Sequence, residues 1–335
     1  MIYPLGKLPA DHLGRLLKSY QPTDDRLIMG GQIGADAAVL DMGDRYLVTK
    51  TDPITFATDQ IGWYAVNICA NDIFCTGATP KWFLATILLP ENKTTPKMVD
   101  DIFQQLTSAC ENLGVSLIGG HTEITYGLDR PLVIGQMLGE VDKGKLVLTS
   151  GAKPGDDVVL TKHIAIEAIA IMAAEKRVDL LADYDTATID NWANFLHEPG
   201  ISVAPEAKIG GDVGGIHAMH DPTEGGIATG LHELAQAAQV GLKIFDSALP
   251  HHPVCVTLCQ KFGLDPLGVI ASGSLLMAVD PISTPTLLKH LAQQNIHATI
   301  IGQVLAPDFG VQLCSADGQI RSLPNFKSDE ITKLF

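Results

Sequence analysis

Apolar positions recur along this chain with two periods, and the period changes from segment to segment. Leu13, Leu16, Leu17 and Tyr20 share one face at helical spacing behind Asp11, which predicts an amphipathic helix opened by that aspartate. Residues 46–51 are apolar and β-rich, the pattern of a buried strand. Residues 61–76 read as a helix stopped by Gly77, with Pro80 beyond it, and residues 82–89 as a strand. Thr95 and Pro96 start the next helix as N-cap and first helical residue. Val99, Ile102, Phe103, Leu106 and Leu113 form its core face, and Gly114 ends it. Strands follow at 115–118 and 132–138.

Between residues 150 and 156 turn formers cluster and no apolar period crosses the segment. The pattern then restarts. Residues 157–161 predict a strand, 164–174 a helix, and 216–219 a short strand entering Asp221. A helix over 226–238 stops near Gly241, a strand covers 275–279, Thr284 and Pro285 cap a last helix, and 299–304 is a strand. The expected fold class is α/β with mixed sheets, in two halves, residues 1–150 and 151–335. The length of 335 residues also favours two domains over one core.

Composition narrows the function classes. Apolar residues make up 46% and charged residues 18%, an ordinary globular balance. The formal charge of −15 argues against nucleic acid as a partner, since that needs a basic footprint, and is no obstacle to a site for a metal-complexed nucleotide. The start of the chain lacks the basic-then-apolar pattern of a signal peptide. The stretch 164–174 is too short to span a bilayer and carries Glu167. No membrane association and a cytoplasmic location are expected, with the six cysteines, none in a CxxC pair, reduced and buried.

Three acids set at element ends carry the candidate chemistry. Asp36 follows Gly34, Asp52 follows Lys50 and Thr51 at a strand exit, and Asp72 follows Asn71 inside an apolar helix. A carboxylate at a strand's exit is a usual ligand contact in α/β folds. Mg²⁺ takes one or two protein carboxylates and completes its shell with water and phosphate oxygens. For Asp72 the competing reading is a cap or a pair with Lys81. For Lys50 the choice lies between a phosphate contact and a solvated strand-end lysine. The glycines at 30, 31 and 34 form neither a P-loop nor a dinucleotide fingerprint.

Gly119, Gly120, His121, Thr122 and Glu123 read as a second glycine turn bearing polar groups. Asp221, Thr223, Gly225 and Gly226 follow a strand and open a helix, and a glycine-preceded helix start favours anions. Asp221 would bring a carboxylate from the second half, so the site would lie between the halves. His251, His252, Cys255 and Cys259 have metal-ligand types, but Pro253 starts a helix between them, and buried cysteines are expected instead of zinc. His217 and His220 flank a strand beside Asp221. His220 could reach the site, but a hydrogen-bonded core or surface role is expected for both.

Taken in order, GADAAVL, the TD strand, ANDIFCTGATP, GGHTEIT and DPTEGGIATGLHEL resemble the superfamily of aminoimidazole ribonucleotide synthase, selenophosphate synthetase, thiamine-phosphate kinase and the hydrogenase-maturation dehydratase. DPTEGGIA and the later Ala271-Ser272-Gly273-Ser274-Leu275 stretch bring it to the HypE-like branch. The resemblance implies a homodimer whose N-terminal strands pair into a shared barrel, with ATP and Mg²⁺ in the cleft. Asp36, Asp52, Asp72 and Asp221 would hold the metal. Asp52, Asp72 and Asp221 would be catalytic, in transfer of the γ-phosphate to a small-molecule acceptor. The dehydratase branch carries its substrate on a cysteine in a C-terminal Pro-Arg-Ile-Cys tail. This chain ends Asp329-Glu330-Ile331-Thr332-Lys333-Leu334-Phe335, so that tail chemistry is not expected, and Lys333 to Phe335 are expected to be mobile and dispensable. His121 stands where several relatives have an acid. The N-terminal glycines lack the reactive Cys or Sec of selenophosphate synthetase. An enzyme and a nucleotide-binding maturation factor without turnover, acting on a partner protein, are the two classes that remain.

Overall fold

The computed structural model describes residue 3 and residues 5–19, 22–32 and 34–335. Tyr20, Ile33 and the side chain of Asp11 lie outside the described residues, so the helix cap and the last apolar position expected near the start are not assessed. Helix α1 itself is present, at Ala10–Ser19.

The first half builds on strands β1 (Leu27–Met29), β2 (Ala38–Asp41), β3 (Arg45–Ile54), β4 (Thr79–Pro90), β5 (Ser116–Thr125) and β6 (Leu132–Asp142), with helices α2 (Ile61–Cys75) and α3 (Pro96–Leu113). The sheet runs β1-β2-β3-β6-β4-β5. Only β4 and β5 pair in parallel. Helix α3 starts and stops as its sequence demands: Thr95 accepts the Met98 N–H, and Gly114 closes it at φ 65°. Strand β3 continues through Pro53 instead of ending at Asp52. Pro53 is tolerated because β2 pairs only with residues 46–49, which leaves the far end of β3 bonded on one side, to β6.

The segment 119–123 is not a turn. It is the body of β5, the exposed edge of the sheet. The ladder skips Ile118, pairing Phe83 with Leu117 and then Leu84 with Gly119. Gly120 sits at φ 147°, and a Cβ there would lie 1.9 Å from the Ala85 carbonyl oxygen. Glycine at 120 is therefore a packing requirement of the β4–β5 pair, not a hinge.

The second half contains β7 (Asp157–Thr161), α4 (Ile166–Glu175), α5 (Arg177–Leu180), α6 (Thr186–Ala193), α7 (Ala204–Val213), β8 (Ile216–His220), α8 (Gly226–Ala238), β9 (Gly241–Phe245), α9 (Pro253–Phe262), β10 (Leu276–Val279), α10 (Thr284–Gln293), β11 (Ala298–Leu305), β12 (Val311–Cys314) and β13 (Ile320–Ser322). Its sheet runs β13-β12-β9-β11-β7-β10-β8 and is antiparallel except for β12 with β9. Ser283, not Thr284, precedes α10. Both sheets are mixed, as the fold class requires.

One apolar cluster crosses between the halves. It joins α2 and α3 residues such as Ile68 and Leu106 to Ile166, Ile169 and Met172 of α4, and to Cys255, Leu258 and Ile331. Asn71, fully buried in α2, adds a polar link: its amide donates to the Ile201 carbonyl at 2.8 Å and accepts the Val203 N–H at 3.0 Å. Residues Glu330–Leu334 form a 3₁₀ turn with Ile331 fully buried. No helix among the described residues is long and apolar enough to cross a membrane.

Candidate active site

A cavity of about 420 Å³ opens between the two sheets. Asp52 comes from β3, Asp72 from α2, Asp36 from the segment before β2, and His220 and Asp221 from the exit of β8. Glu167 of α4, Glu233 of α8, Thr223, Glu224 and Ser272 complete its polar wall. Seven carboxylates (Asp36, Asp52, Asp72, Glu167, Asp221, Glu224, Glu233) face three basic groups (Lys7, Lys50, His220). That excess of acid favours a cation.

Lys50 is the hub of the first-half wall. Its Nζ lies 3.1 Å from Asp72 Oδ1 and 3.2 Å from Asp52 Oδ2. Burial would depress its pKa, but the Asp72 and Asp52 charges outweigh burial and hold it well above the ordinary lysine value. Lys50 is thus neither a solvated strand-end residue nor far from Asp72, and Lys50, not Lys81, is the partner Asp72 takes. Alternation along β3 explains the placement, since residues 50 and 52 share one face.

His220 plays the matching part on the other wall. Its Nδ1 is 2.9 Å from the Asp36 carboxylate and its Nε2 3.1 Å from Glu233 Oε2. Burial works against charging the ring, but Asp36 and Glu233 outweigh it and raise its pKa well above the usual range. Each ring nitrogen of His220 thus faces a carboxylate, an arrangement that favours the charged ring. Burial likewise opposes ionisation of Glu233, yet the His220 hydrogen bond and the Lys7 charge bring it down to about 2.

Asp36, His220 and Asp221 are, among the described residues, the one group whose ligand atoms could meet a metal ion, all lying within 4.8 Å of one another. Both ring nitrogens of His220 are already taken by carboxylates, which leaves the carboxylates of Asp36 and Asp221 as the donors open to a cation. Asp221 fits that part. It is 1% exposed, its Oδ1 takes only a 3.6 Å contact from Cys75 Sγ, and its Oδ2 is buried without a partner. A buried carboxylate oxygen without a donor is costly unless a cation meets it. Burial first, then the Asp36 charge, push this carboxyl up to about 7.

The other expected site residues divide. Gly34 and Thr223 line the cavity. Gly34, at φ 77°, brings the Asp36 segment so close to α8 that a Cβ would stand 2.8 Å from the Glu233 carbonyl oxygen. Thr51, Asn71, Gly225 and Gly226 are not lining residues. Thr51 Oγ1 donates to the Gly135 carbonyl and Asn71 is engaged by the second half, as described above. The Gly225 N–H at the start of α8 is given to Asp329 Oδ2 at 2.6 Å, so a protein carboxylate occupies the expected anion position. Gly119, Gly120, His121, Thr122 and Glu123 lie on the β5 edge outside the cavity, where His121 Nε2 meets Glu123 Oε2 at 3.0 Å.

Lys7, Glu167, Glu233 and Ser272 were not foreseen. Glu167 and Glu233 did carry a signal, since each is an acid on a largely apolar helix. The cysteine–histidine motif is structural: Cys255 and Cys259 are buried 3.9 Å apart and His252 Nδ1 accepts the Val254 N–H.

Two family models of AIR synthase related protein match this architecture, the N-terminal domain over residues 34–141 and the C-terminal domain over 153–313. The carbamoyl dehydratase HypE of Rhizobium leguminosarum bv. viciae is 30% identical over 296 residues, which are 87% of this chain and 81% of that protein. The crystal structure of hydrogenase maturation protein HypE in complex with ATP is similar at a TM-score of 0.72 and 24% identity, covering 87% of this chain and 88% of its own. HypE in a HypE–HypF complex gives 0.73 at 23%, covering 88% and 94%. These two structures show the shared fold. With both domain models matched in order and a HypE relative aligned along most of its length, the chain belongs to the AIR synthase related family and is HypE-like.

Proposed function

We propose that the chain is a Mg²⁺-dependent ATP-binding enzyme that transfers phosphate to a small-molecule acceptor and so activates it. The observation that carries this reading is the convergence of Asp36, Asp52, Asp72 and Asp221 from both halves on one cavity, with a buried Asp221 oxygen that has no hydrogen-bond partner. ATP in a HypE relative of the same fold supports the nucleotide.

Asp36 and Asp221, with Asp52 and Asp72 across the cavity, would hold Mg²⁺, which when bound supplies charge neutralisation to the phosphates. Lys50 supplies a fixed positive charge beside them, oriented by its two carboxylate contacts. His220 holds Asp36 and Glu233 in place. Phosphoryl transfer depends mostly on such positioning and charge neutralisation. Lys7 Nζ, 3.2 Å from Thr223 Oγ1, stands in the same wall and would add a second cation near the phosphates.

We also read residues 1–150 as the dimerising half. β5 is a ten-residue exposed edge with Ile118 and Ile124 in the open, and pairing with a second copy would cover it. Any cofactor role for Gly119 to Glu123 needs that second copy. The six cysteines are all free and buried, in keeping with a cytoplasmic site of action. The HypE–HypF complex favours one alternative, a maturation factor that binds nucleotide and a partner protein without turnover of its own.

Titration calorimetry with ATP, with and without Mg²⁺, on the wild type and Asp52→Asn tests the nucleotide reading. Equal affinity in all arms would end it. ATP hydrolysis screened against amides, carboxylates and phosphate monoesters separates the enzyme from the maturation factor.

A further inference from the structure

Near the end of the chain, the side chain of Asp329 ties two segments of the cavity wall together. Asp329 is 4% exposed and accepts three backbone N–H groups. Its Oδ2 takes Gly225 at 2.6 Å, and its Oδ1 takes Ile270 at 3.2 Å and Ile331 at 2.8 Å. Gly225 is the residue that opens α8, so the carboxylate also sits where the helix dipole favours a negative charge. The neighbouring Glu330 adds two links to the same wall. Its Oε2 accepts the Asp265 N–H at 3.0 Å, and its own N–H bonds the Gly268 carbonyl at 3.0 Å.

The segments held this way are the ones that shape the site. The 221–226 loop contributes Asp221 and Thr223 to the cavity, and the 268–272 loop contributes Ile270 and Ser272. The two loops also meet directly: the Ala271 N–H bonds the Thr223 carbonyl at 3.2 Å, and Gly226 lies against the backbone of residues 268 and 269. Three donors on two oxygens is a load a carboxylate carries and an amide does not, because an Asn offers one acceptor oxygen.

We infer that Asp329 is a positioning residue of this site: its carboxylate clamps the 221–226 loop to the 268–272 loop and thereby sets the place of Asp221 and Thr223. The inference rests on the nucleotide reading for what the site binds, but the clamp can be measured without any ligand.

The test uses the full chain as wild type, Asp329→Ala and Asp329→Asn. Hydrogen exchange in the ligand-free protein reads the clamp, and calorimetry with Mg²⁺ and ATP reads its consequence. Removing hydrogen bonds to a charged acceptor is expected to speed exchange in 221–226 and 268–272 about tenfold, with residues 157–161 unchanged. The Kd for Mg²⁺-ATP is expected to rise about tenfold in Asp329→Ala. Asp329→Asn is expected to fall between, since it keeps either the Gly225 bond or the Ile270 and Ile331 bonds. Unchanged exchange in both loops overturns the inference. So does acceleration spread evenly over the chain, which is a general stability effect, and so does local acceleration with unaltered Kd. A wild type that binds no Mg²⁺-ATP removes the nucleotide reading, and the exchange data still decide whether Asp329 holds the loops.

Discussion

Glu167→Gln isolates one buried charge. Glu167 is 2% exposed in α4, accepts the Ser272 N–H at 3.2 Å and lines the cavity. Burial is the main cause that raises its pKa from 4.5 to about 8, with the Glu224 and Asp329 charges adding to it and the Ser272 bond opposing. A folded-state value above the unfolded one means the native protein binds more protons between those limits, so this group's contribution to stability falls as pH rises from about 4.5 to 8. With about 1.4 kcal/mol per decade, the loss between pH 5 and pH 8 is on the order of 3 kcal/mol. Glutamine copies the protonated acid in shape and cannot ionise. Urea unfolding of both proteins at pH 5, 6, 7 and 8 is the assay. The variant is expected to be close to wild type at pH 5 and more stable at pH 8, with the gap widening steadily. Two parallel pH profiles would show that Glu167 does not titrate in this window and would refute the reasoning.

Lys50→Met leaves Asp72 buried without its cation and is expected to cost about 3–5 kcal/mol, while the double variant with Asp72→Asn regains most of it; denaturant midpoints check this, and an unchanged single variant would contradict the pairing. Asp221→Ala is expected to cut turnover far more than it lowers the melting temperature, because its Oδ2 has no protein partner to lose. Comparing turnover rate with melting temperature decides this, and full turnover in the variant would remove Asp221 from the site. Pairing through β5 predicts a dimer in sedimentation at micromolar concentration, and a single species of monomer mass would rule that out.

The fold was legible at α3, where local chemistry sets both ends. Thr95, Pro96 and Gly114 mark α3 because a hydroxyl cap, a fixed φ and a left-handed residue act within one turn. β5 was misread for the opposite reason. Paired glycines signal a turn when only neighbours are considered, and what places Gly120 in a strand is the Ala85 carbonyl of β4, 35 positions away in sequence (120 − 85). The short strands β9, β12 and β13 carry weak periods of their own and are organised by the sheet they join.

The site shows the same division more sharply. Its four aspartates stand among apolar or small residues, Asp36 and Asp221 beside strands, Asp52 within β3 and Asp72 within α2, and that local oddity exposed them. Their counter-charges did not announce themselves. Lys50 is two positions from Asp52 but takes Asp72 only because β3 and α2 pack together. His220 stands next to Asp221 in the chain and yet turns to Asp36, which is 184 residues away. Glu233 and Asp329 enter only through α8 and the docked C-terminus. Acids can be placed by sequence because a buried carboxylate is conspicuous on any apolar element. What neutralises each one is settled by packing, so the sequence reveals the demand for charge and the fold decides how it is met. The Asp221 oxygen in the cavity wall is one such demand left without a protein partner, and a cation there is the proposal that answers it.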